Sequence, residues 1–417
     1  MAADQGDISA FEELESNVRY YCRRWPTVFA SAAGSRLVSE DGTRYLDFFS
    51  GAGALSYGHN APFLVEAAVD HLRSGRLIHS LDTHTPEKAA LLRTLQRCVL
   101  SPRGMDMVVQ FVGPTGATAV EAALQLAERI TGRRGVVAFE GGFHGMTARA
   151  ASVSHSLGDR DHSGARFLPY RSQPDERDLQ LLKSALERPI GDERPGALII
   201  EPVQAEGGAR PFTAAYLAEV RRLCTDHEVV LIADEIQAGV GRTGPFFSSE
   251  GSGLDPDIIC VSKSLSGLGL PLAVNLIRRD LDRWAPGEFT GTFRGNNLAF
   301  VTATALLERY WGNGELESST GRRGQHVGAL LGHLAAEDDV LPFSVSGRGF
   351  LWGLTFEDGR AATAVVVAAF RSGLIVEACG AGDRTVKLLP SLLIDDEDLE
   401  LGLDLLATAV RGLSEGY

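Results

Sequence analysis

Cysteine is scarce and unpaired in this chain. Of 417 residues five are cysteine, Cys22, Cys98, Cys224, Cys260 and Cys379, and no C-x-x-C spacing occurs among them. An odd, scattered set argues against a disulfide framework and against a zinc ribbon; it fits free thiols in a reducing cytoplasm. No apolar run reaches the length of about 18 residues that a membrane span needs, so none is expected. The opening stretch MAADQGDISAFEELES is acidic and has no apolar core, so no secretory signal is expected either. Positive charge is in deficit: 40 Lys and Arg face 54 Asp and Glu, a formal net charge of −14. Such a surface repels polyphosphate, and nucleic acid is not an expected partner. P-loop, G-x-S-x-G and H-E-x-x-H patterns are absent. His79 and His84 stand five apart, a poor spacing for joint ligation on a helix, and no metal is expected.

What is present is an apolar fraction of 44%, ample for more than one domain at this length. Residues 11–22 are expected to form a short helix. SRLVSEDGTRYLDFF then carries an Asp41-Gly42 turn between two alternating segments, the mark of a hairpin. Further on, Val- and Ile-rich runs at 107–113, 135–139, 196–202, 228–235, 257–263 and 272–278 alternate with helical patterns. Strands buried on both faces, with helices between them, predict a mostly parallel α/β sheet. ATAVEAALQLAERITG, 117–132, reads as an amphipathic helix closing at Gly132. TGTFRGNNLAFVTATALLERYW opens a long helix toward a smaller α+β domain that includes GFLWGLTF, GLIVEA and TVKLLP. The expected division is an N-terminal arm with part of the small domain over 1–65, a large domain over 66–299 and the C-terminal small domain over 300–417.

In open α/β sheets ligands gather beyond the carboxyl ends of the strands. The residues that follow the apolar runs are Gly116, Phe143 with His144, Glu201, Asp234 and Lys263. A solvated lysine is the ordinary case. Lys263, however, ends IICVSK, and an amine entering a pocket from an apolar strand is partly desolvated. Desolvation lowers its pKa and suits it to Schiff-base chemistry. Asp234, twenty-nine residues earlier at the end of VVLIAD, could cap a helix or pair in the core. Beneath a pyridine ring it would keep the nitrogen protonated and the ring electron-withdrawing. Gln237 could hydrogen-bond a phenolic oxygen or be a plain loop amide. GPTGATA, 113–119, joins a strand to a helix, and Gly116 lets the backbone approach a phosphate at the helix N-terminus. Phe143 and His144 suit a ring stacked on a cofactor face. Together these point to pyridoxal 5'-phosphate, with Lys263 and Asp234 as the catalytic pair. GVGRTG, 239–244, matches G-x-G-x-x-G as a string, but PFFSSEGSG follows it rather than a helix, so a nicotinamide reading fails.

LIADEIQAGVGRTG, SKS with its lysine, EPVQAEGG, GFHGMT and GTFRGNN together resemble the class III (omega) aminotransferases of pyridoxal-phosphate fold type I, from Phe29 to near the end of the chain. The resemblance implies a large mostly parallel sheet domain beside a smaller α+β domain, and a homodimer, or a dimer of dimers, with its active site at the interface. It implies that Lys263 carries the cofactor and moves the proton, that Asp234 meets the pyridine nitrogen, that Gln237 faces the phenolic oxygen and that Phe143 stacks on the ring. Thr115, Gly116, Ala117 and His144 complete the cofactor set, and Thr292 reaches the phosphate of the neighbouring subunit's cofactor. ESNVRYYCRRWPTVF, FFSGAGALSYGHNAP, HSLDTHT, FVGPTGATAVEAAL and TFRGNNLAFVTAT are similar to diaminobutyrate–2-oxoglutarate aminotransferases of the ectoine-pathway type. That likeness implies an amine and a keto acid as partners: L-2,4-diaminobutanoate with 2-oxoglutarate, giving L-aspartate 4-semialdehyde and glutamate.

The class assigns the keto acid's α-carboxylate to an arginine in R-x-x-P-P-L, where KLLPSL here puts Lys387 and replaces the second proline with Ser391. Lysine is a point charge rather than a bidentate fork. Glu206, in EGG, matches the acid that screens that cation when an amine enters, and Glu201 stands with it on the substrate side. Other readings remain open at this level. A pyridoxal-phosphate isomerase (aminomutase or racemase) would use the same lysine and aspartate without a net acceptor. A relative could act on another diamine or omega-amino acid in specialised metabolism, and a non-catalytic homologue would bind the cofactor without turnover.

Overall fold

The computed structural model describes residues 8–158, 162–338 and 340–413. The helix expected over 11–22 breaks: the N-terminal segment holds a short helix, Ser9–Leu14, and a separate tight turn, Tyr21–Arg23. Arg23 turns back onto the carbonyls of Arg19 (3.0 Å) and Asn17 (3.1 Å), acceptors that a continuous helix would use itself. Then β1 (Phe29–Ala33), β2 (Arg36–Ser39) and β3 (Arg44–Asp47) pair antiparallel. The second hairpin turns at Asp41-Gly42, as the sequence predicts. Gly42 takes the left-handed backbone (φ 85°), and Asp41 Oδ1 accepts from the Thr43 N–H at 2.9 Å.

The main sheet is built from β4 (Met107–Phe111), β5 (Val136–Phe139), β6 (Ala165–Leu168) and β7 (Ala197–Ile200), joined later by three more strands. A two-residue pair, β8 (Val203–Gln204) with β9 (Arg210–Pro211), intervenes. The last three are β10 (Val230–Asp234), β11 (Ile258–Val261) and β12 (Val274–Arg278). The order across the sheet is β4-β12-β11-β10-β7-β5-β6, and β12 alone runs antiparallel to its neighbours. Every residue of β5, β7, β10 and β11 is buried, because helices cover both faces. Ile199 and Ile232 pack with Val120 and Ala123 of the helix Gly116–Thr131; their chain neighbours Leu198 and Leu231 pack on the opposite side with Leu182, Leu217 and Val220. That helix ends where expected, with Gly132 left-handed at φ 71°. Edge strand β6 has no counterpart among the expected runs: ARFL carries too short and too mixed a pattern.

Past two long helices, Asn297–Tyr310 and Glu315–Ala335, come β13 (Phe343–Arg348), β14 (Leu351–Phe356), β15 (Leu374–Ile375), β16 (Glu377–Cys379) and β17 (Thr385–Leu388). Strands β13-β14-β17-β16 form an antiparallel sheet, whereas β15 pairs in parallel with β3, Leu374 opposite Leu46 and Ile375 opposite Asp47. The first hairpin of the chain and its last quarter therefore share a sheet. A single residue, Val376, separates β15 from β16 and carries the chain from the sheet of β1–β3 into that of β13, β14 and β17.

Candidate active site

Five of the strand ends named by the sequence meet at one cavity of about 280 Å³. Its lining includes Gly116, Ala117, Phe143, His144, Glu201, Glu206, Asp234, Gln237 and Lys263. Asp234 forms the floor. One carboxylate oxygen takes a hydrogen bond at 2.8 Å from Nδ1 of the buried His144, and the other takes one at 3.1 Å from the Ile236 N–H. Burial works against charge on His144, but the hydrogen bond and charge of Asp234, with Glu201 behind them, prevail and raise its pKa. Nδ1 of His144 is thus engaged by the aspartate. Glu201 accepts from the backbone N–H groups of Phe143 (3.1 Å) and Ala205 (3.2 Å), which fixes the loop that carries Phe143. Burial pushes its pKa up to about 7.

Lys263 follows β11 directly and has a left-handed backbone, φ 46°, a conformation that a non-glycine residue holds only where its surroundings impose it. Its amine makes no hydrogen bond or ion pair among the described residues and faces the cavity. Burial lowers its pKa, which keeps a larger share of the amine unprotonated and nucleophilic. Opposite, Gln237 Nε2 donates to Glu206 (3.0 Å) and to the Ala52 carbonyl (3.2 Å). Lys387 is fully buried on β17. Its Nζ donates to Glu206 Oε1 at 2.5 Å and to Gln237 Oε1 at 2.9 Å, and it lies 3.0 Å from Glu377 Oε1. Burial opposes both charges of the Lys387–Glu206 pair, but their mutual attraction wins: Lys387 is raised and Glu206 is lowered to about 2. Glu377, absent from the sequence-derived set, is held up at about 7 by burial.

Two residues of the expected cofactor set do not line this cavity, and one of them, Thr292, is expected at the neighbouring subunit's site instead. The Thr115 hydroxyl caps the helix Gly116–Thr131, accepting from the Thr118 N–H at 3.2 Å, and does not line the cavity. Thr292 is exposed, in a turn whose carbonyl bonds His79 at 2.8 Å, and is also outside the cavity. GVGRTG serves the scaffold: the buried Arg242 donates to Pro390 O, to Phe350 O (3.1 Å) and to Ser56 Oγ (2.8 Å). Among the described residues, no three His, Cys, Asp or Glu side chains come together as a metal site, and no helix is long and apolar enough to cross a membrane.

This arrangement belongs to a known class. A family model described as aminotransferase class-III matches residues 21–410, and the chain is a member of that family. A curated diaminobutyrate–2-oxoglutarate transaminase of Nocardia farcinica is 47% identical over 99% of this chain and 96% of its own length. One from Streptomyces anulatus is 45% identical over 97% of this chain and 98% of its own. A crystal structure of an S-selective transaminase from Arthrobacter sp. shares the fold, with a TM-score of 0.86 and 23% identity over 98% of each chain. The architecture is thus the α/β pyridoxal-phosphate fold type I.

Class III enzymes depend on pyridoxal 5'-phosphate, and the cavity fits that group. A side chain at Gly116 would come within 2.9 Å of Ile236, and one at Gly145 within 2.5 Å of Ala117, so bare backbone is required where a helix N-terminus faces the cavity. A carboxylate, an aromatic ring and an unpaired amine supply the other contacts that a flat, phosphorylated pyridine aldehyde requires.

Proposed function

We propose that this chain transfers the terminal amino group of L-2,4-diaminobutanoate to 2-oxoglutarate, reversibly giving L-aspartate 4-semialdehyde and L-glutamate. The observation that carries the proposal is one cavity holding an unpaired amine at Lys263, with the buried cation of Lys387 behind its wall, bonded to the lining residues Glu206 and Gln237. The names of the two curated relatives, similar over nearly the whole chain, support the choice of substrates. When bound, pyridoxal phosphate supplies an aldehyde that takes the amine and a ring that withdraws electrons from the reacting carbon.

The protein does the rest. Gly116, Ala117 and the helix behind them would hold the phosphate, Phe143 would cover the ring, and Gln237 would meet its oxygen. Asp234 keeps its place through His144 and the Ile236 N–H. Nζ of Lys263, released when substrate amine takes its place, removes the proton from the carbon bearing that amine and holds it for return. Glu206 screens Lys387 while the amine is bound and turns away when the keto acid's carboxylate arrives. A homodimer, or a pair of dimers, is part of the reading. Leu77, Ile78, Leu81 and Phe293 are exposed around the turn carrying Thr292, an apolar surface suited to a second copy that would present Thr292 to its site. We place the protein in the cytoplasm, consistent with five free cysteines.

Reconstituted Lys263→Ala should lose the visible absorbance of the lysine-bound cofactor and all transfer activity. A spectrum unchanged by that substitution would end the lysine assignment. Parallel-line kinetics with a strict requirement for a keto acid separate amino transfer from isomerisation, and comparison of diaminobutanoate with longer diamines tests the amine.

A further inference from the structure

Two strained backbone segments lie beside the cavity, and one hydroxyl joins them. The first is Lys263, left-handed at φ 46°. The second is the turn Ser50–Gly53, in which four successive residues have positive φ, 48°, 58°, 56° and 82°. Only two of the four are glycine, so the turn persists because it is pinned. Asp47 Oδ1 accepts from the N–H groups of Phe49 (2.8 Å) and Ser50 (2.9 Å), and Ser50 Oγ donates to the Leu389 carbonyl at 2.6 Å. The pinned turn offers two adjacent carbonyls. Ala52 O receives Gln237 Nε2 at 3.2 Å, and Gly53 O receives Ser264 Oγ, from the residue next to Lys263, at 2.6 Å.

Lys263 is flanked by serines, and both are buried and tied to backbone. Ser262 Oγ donates to the Leu272 carbonyl at 2.8 Å. Ser264 Oγ donates to Gly53 O and lies 2.5 Å from the buried Ser56 Oγ, which accepts at 2.8 Å from the buried Arg242. Chemistry sets the direction of this row. Arginine has no acceptor, so Ser56 receives from Arg242 and passes its own proton onward. Ser264 has the shorter path to Gly53 O, since Ser56 stands 3.3 Å from that carbonyl. Ser56 therefore donates to Ser264, and a buried cation heads a row of hydroxyls that ends on Gly53. Polarisation along such a row strengthens its bonds. The tight turn Lys263–Ser266 then closes at Gly267, where a side chain would come within 2.9 Å of Leu64. None of Ser56, Arg242, Ser262 and Ser264 lines the cavity, so their effect falls on the backbone between the two serines.

Resting on the reading of Lys263 as the residue that bonds the cofactor, we propose that Ser262 and Ser264 are positioning residues for its amine. Tied on both sides, the backbone at 263 keeps the left-handed form that aims the side chain into the cavity. Ser56 and Arg242 keep the Ser264 hydroxyl on Gly53. Released from either tie, residue 263 relaxes toward negative φ, its Cβ changes direction, and the amine must regain the strained form to bond.

The test compares two forms of the cofactor on the full-length protein. Pyridoxal 5'-phosphate has the aldehyde: Nζ adds to its carbon, water leaves, and a visible band reports the bond. Pyridoxamine 5'-phosphate has an amine in that place and cannot bond Lys263. Fluorescence titration gives both affinities for the parent, Ser264→Ala, Ser262→Ala and Ser56→Ala. In Ser264→Ala the expected loss for the aldehyde form is about tenfold to hundredfold, the equivalent of one left-handed residue's strain, with the amine form unchanged. Ser262→Ala should do the same, and Ser56→Ala should do so more weakly. Added to Lys263→Ala, Ser264→Ala should alter neither affinity. Equal losses for both forms, or no loss for either, overturn the proposal alone, because the serines then only pack. So does a loss that persists without the lysine. If Ser264→Ala fails to fold, Ser262→Ala and Ser56→Ala decide by the same comparison. A Lys263→Ala protein that keeps the visible band overturns the lysine reading and this proposal together.

Discussion

Replacing Lys387 with methionine tests the buried cluster as structure rather than as chemistry. The substitution keeps length and apolar stem but deletes the charge, leaving Glu206 and Glu377 facing each other with no cation between them. At the observed 2.5 and 3.0 Å, each pair attracts by roughly 6 kcal/mol at an effective dielectric of about 20, and the desolvation of three buried ions cancels much of that. The net penalty for breaking such a cluster from one side is about 3–5 kcal/mol. The penalty must also depend on pH. Without the lysine both carboxyl groups bind a proton more tightly folded than unfolded, so stability is lost as pH rises above the unfolded value of about 4.3, and the loss levels off only above the raised folded values. Urea unfolding of the holoenzyme at about pH 5 and about pH 8 therefore separates two outcomes. A deficit that is small in acid and several kcal/mol at alkaline pH is expected, and adding Glu377→Met should recover part of it. A Lys387→Met protein as stable as its parent at both pH values would falsify the electrostatic account of the cluster.

Two further expectations follow from packing. Gly145→Ala puts a methyl group 2.5 Å from the Ala117 Cβ at a backbone φ of 124°, and the strain of about 1–3 kcal/mol should appear as a roughly tenfold to hundredfold loss of cofactor affinity in a fluorescence titration, with the helical circular dichroism retained. Arg242→Lys retains the charge but not the fork that reaches Pro390 O, Phe350 O and Ser56 Oγ. Orphaned carbonyls make a loss of about 2–4 kcal/mol in urea unfolding the expected result, and an unchanged midpoint would show that the fork is dispensable.

The chain displays openly the strand ends that line the cavity, because burial on both faces makes each strand an apolar run and the first polar residue after it stands out. Asp234 and Lys263 were legible for that reason. Other features hide in pairing. Nothing in LAVNLIR reveals that Val274–Arg278 runs antiparallel between β4 and β11, since an all-apolar strand looks the same in either direction. Nothing in GLIVEA singles out Glu377; only its position opposite Lys387 shows that it faces a buried cation. His144 stands out in the sequence, but its bond to the aspartate shows only in the fold. The cap that Thr115 makes on the helix Gly116–Thr131 is a local feature that the sequence reading did not single out.

The parallel pairing of β3 with β15 has a bearing on biosynthesis. Residues 46 and 47 find their neighbours only after 374 and 375 have been made, so a nascent chain carries an open edge through most of its translation. Glu377 and Lys387, which face each other across β16 and β17, leave the ribosome later still, just before the final helix. A chain broken off near residue 370 would carry the amine at 263 and the aspartate at 234 but lack the lysine that bonds Glu206 and Gln237, and its exposed first hairpin would be free to pair with another copy.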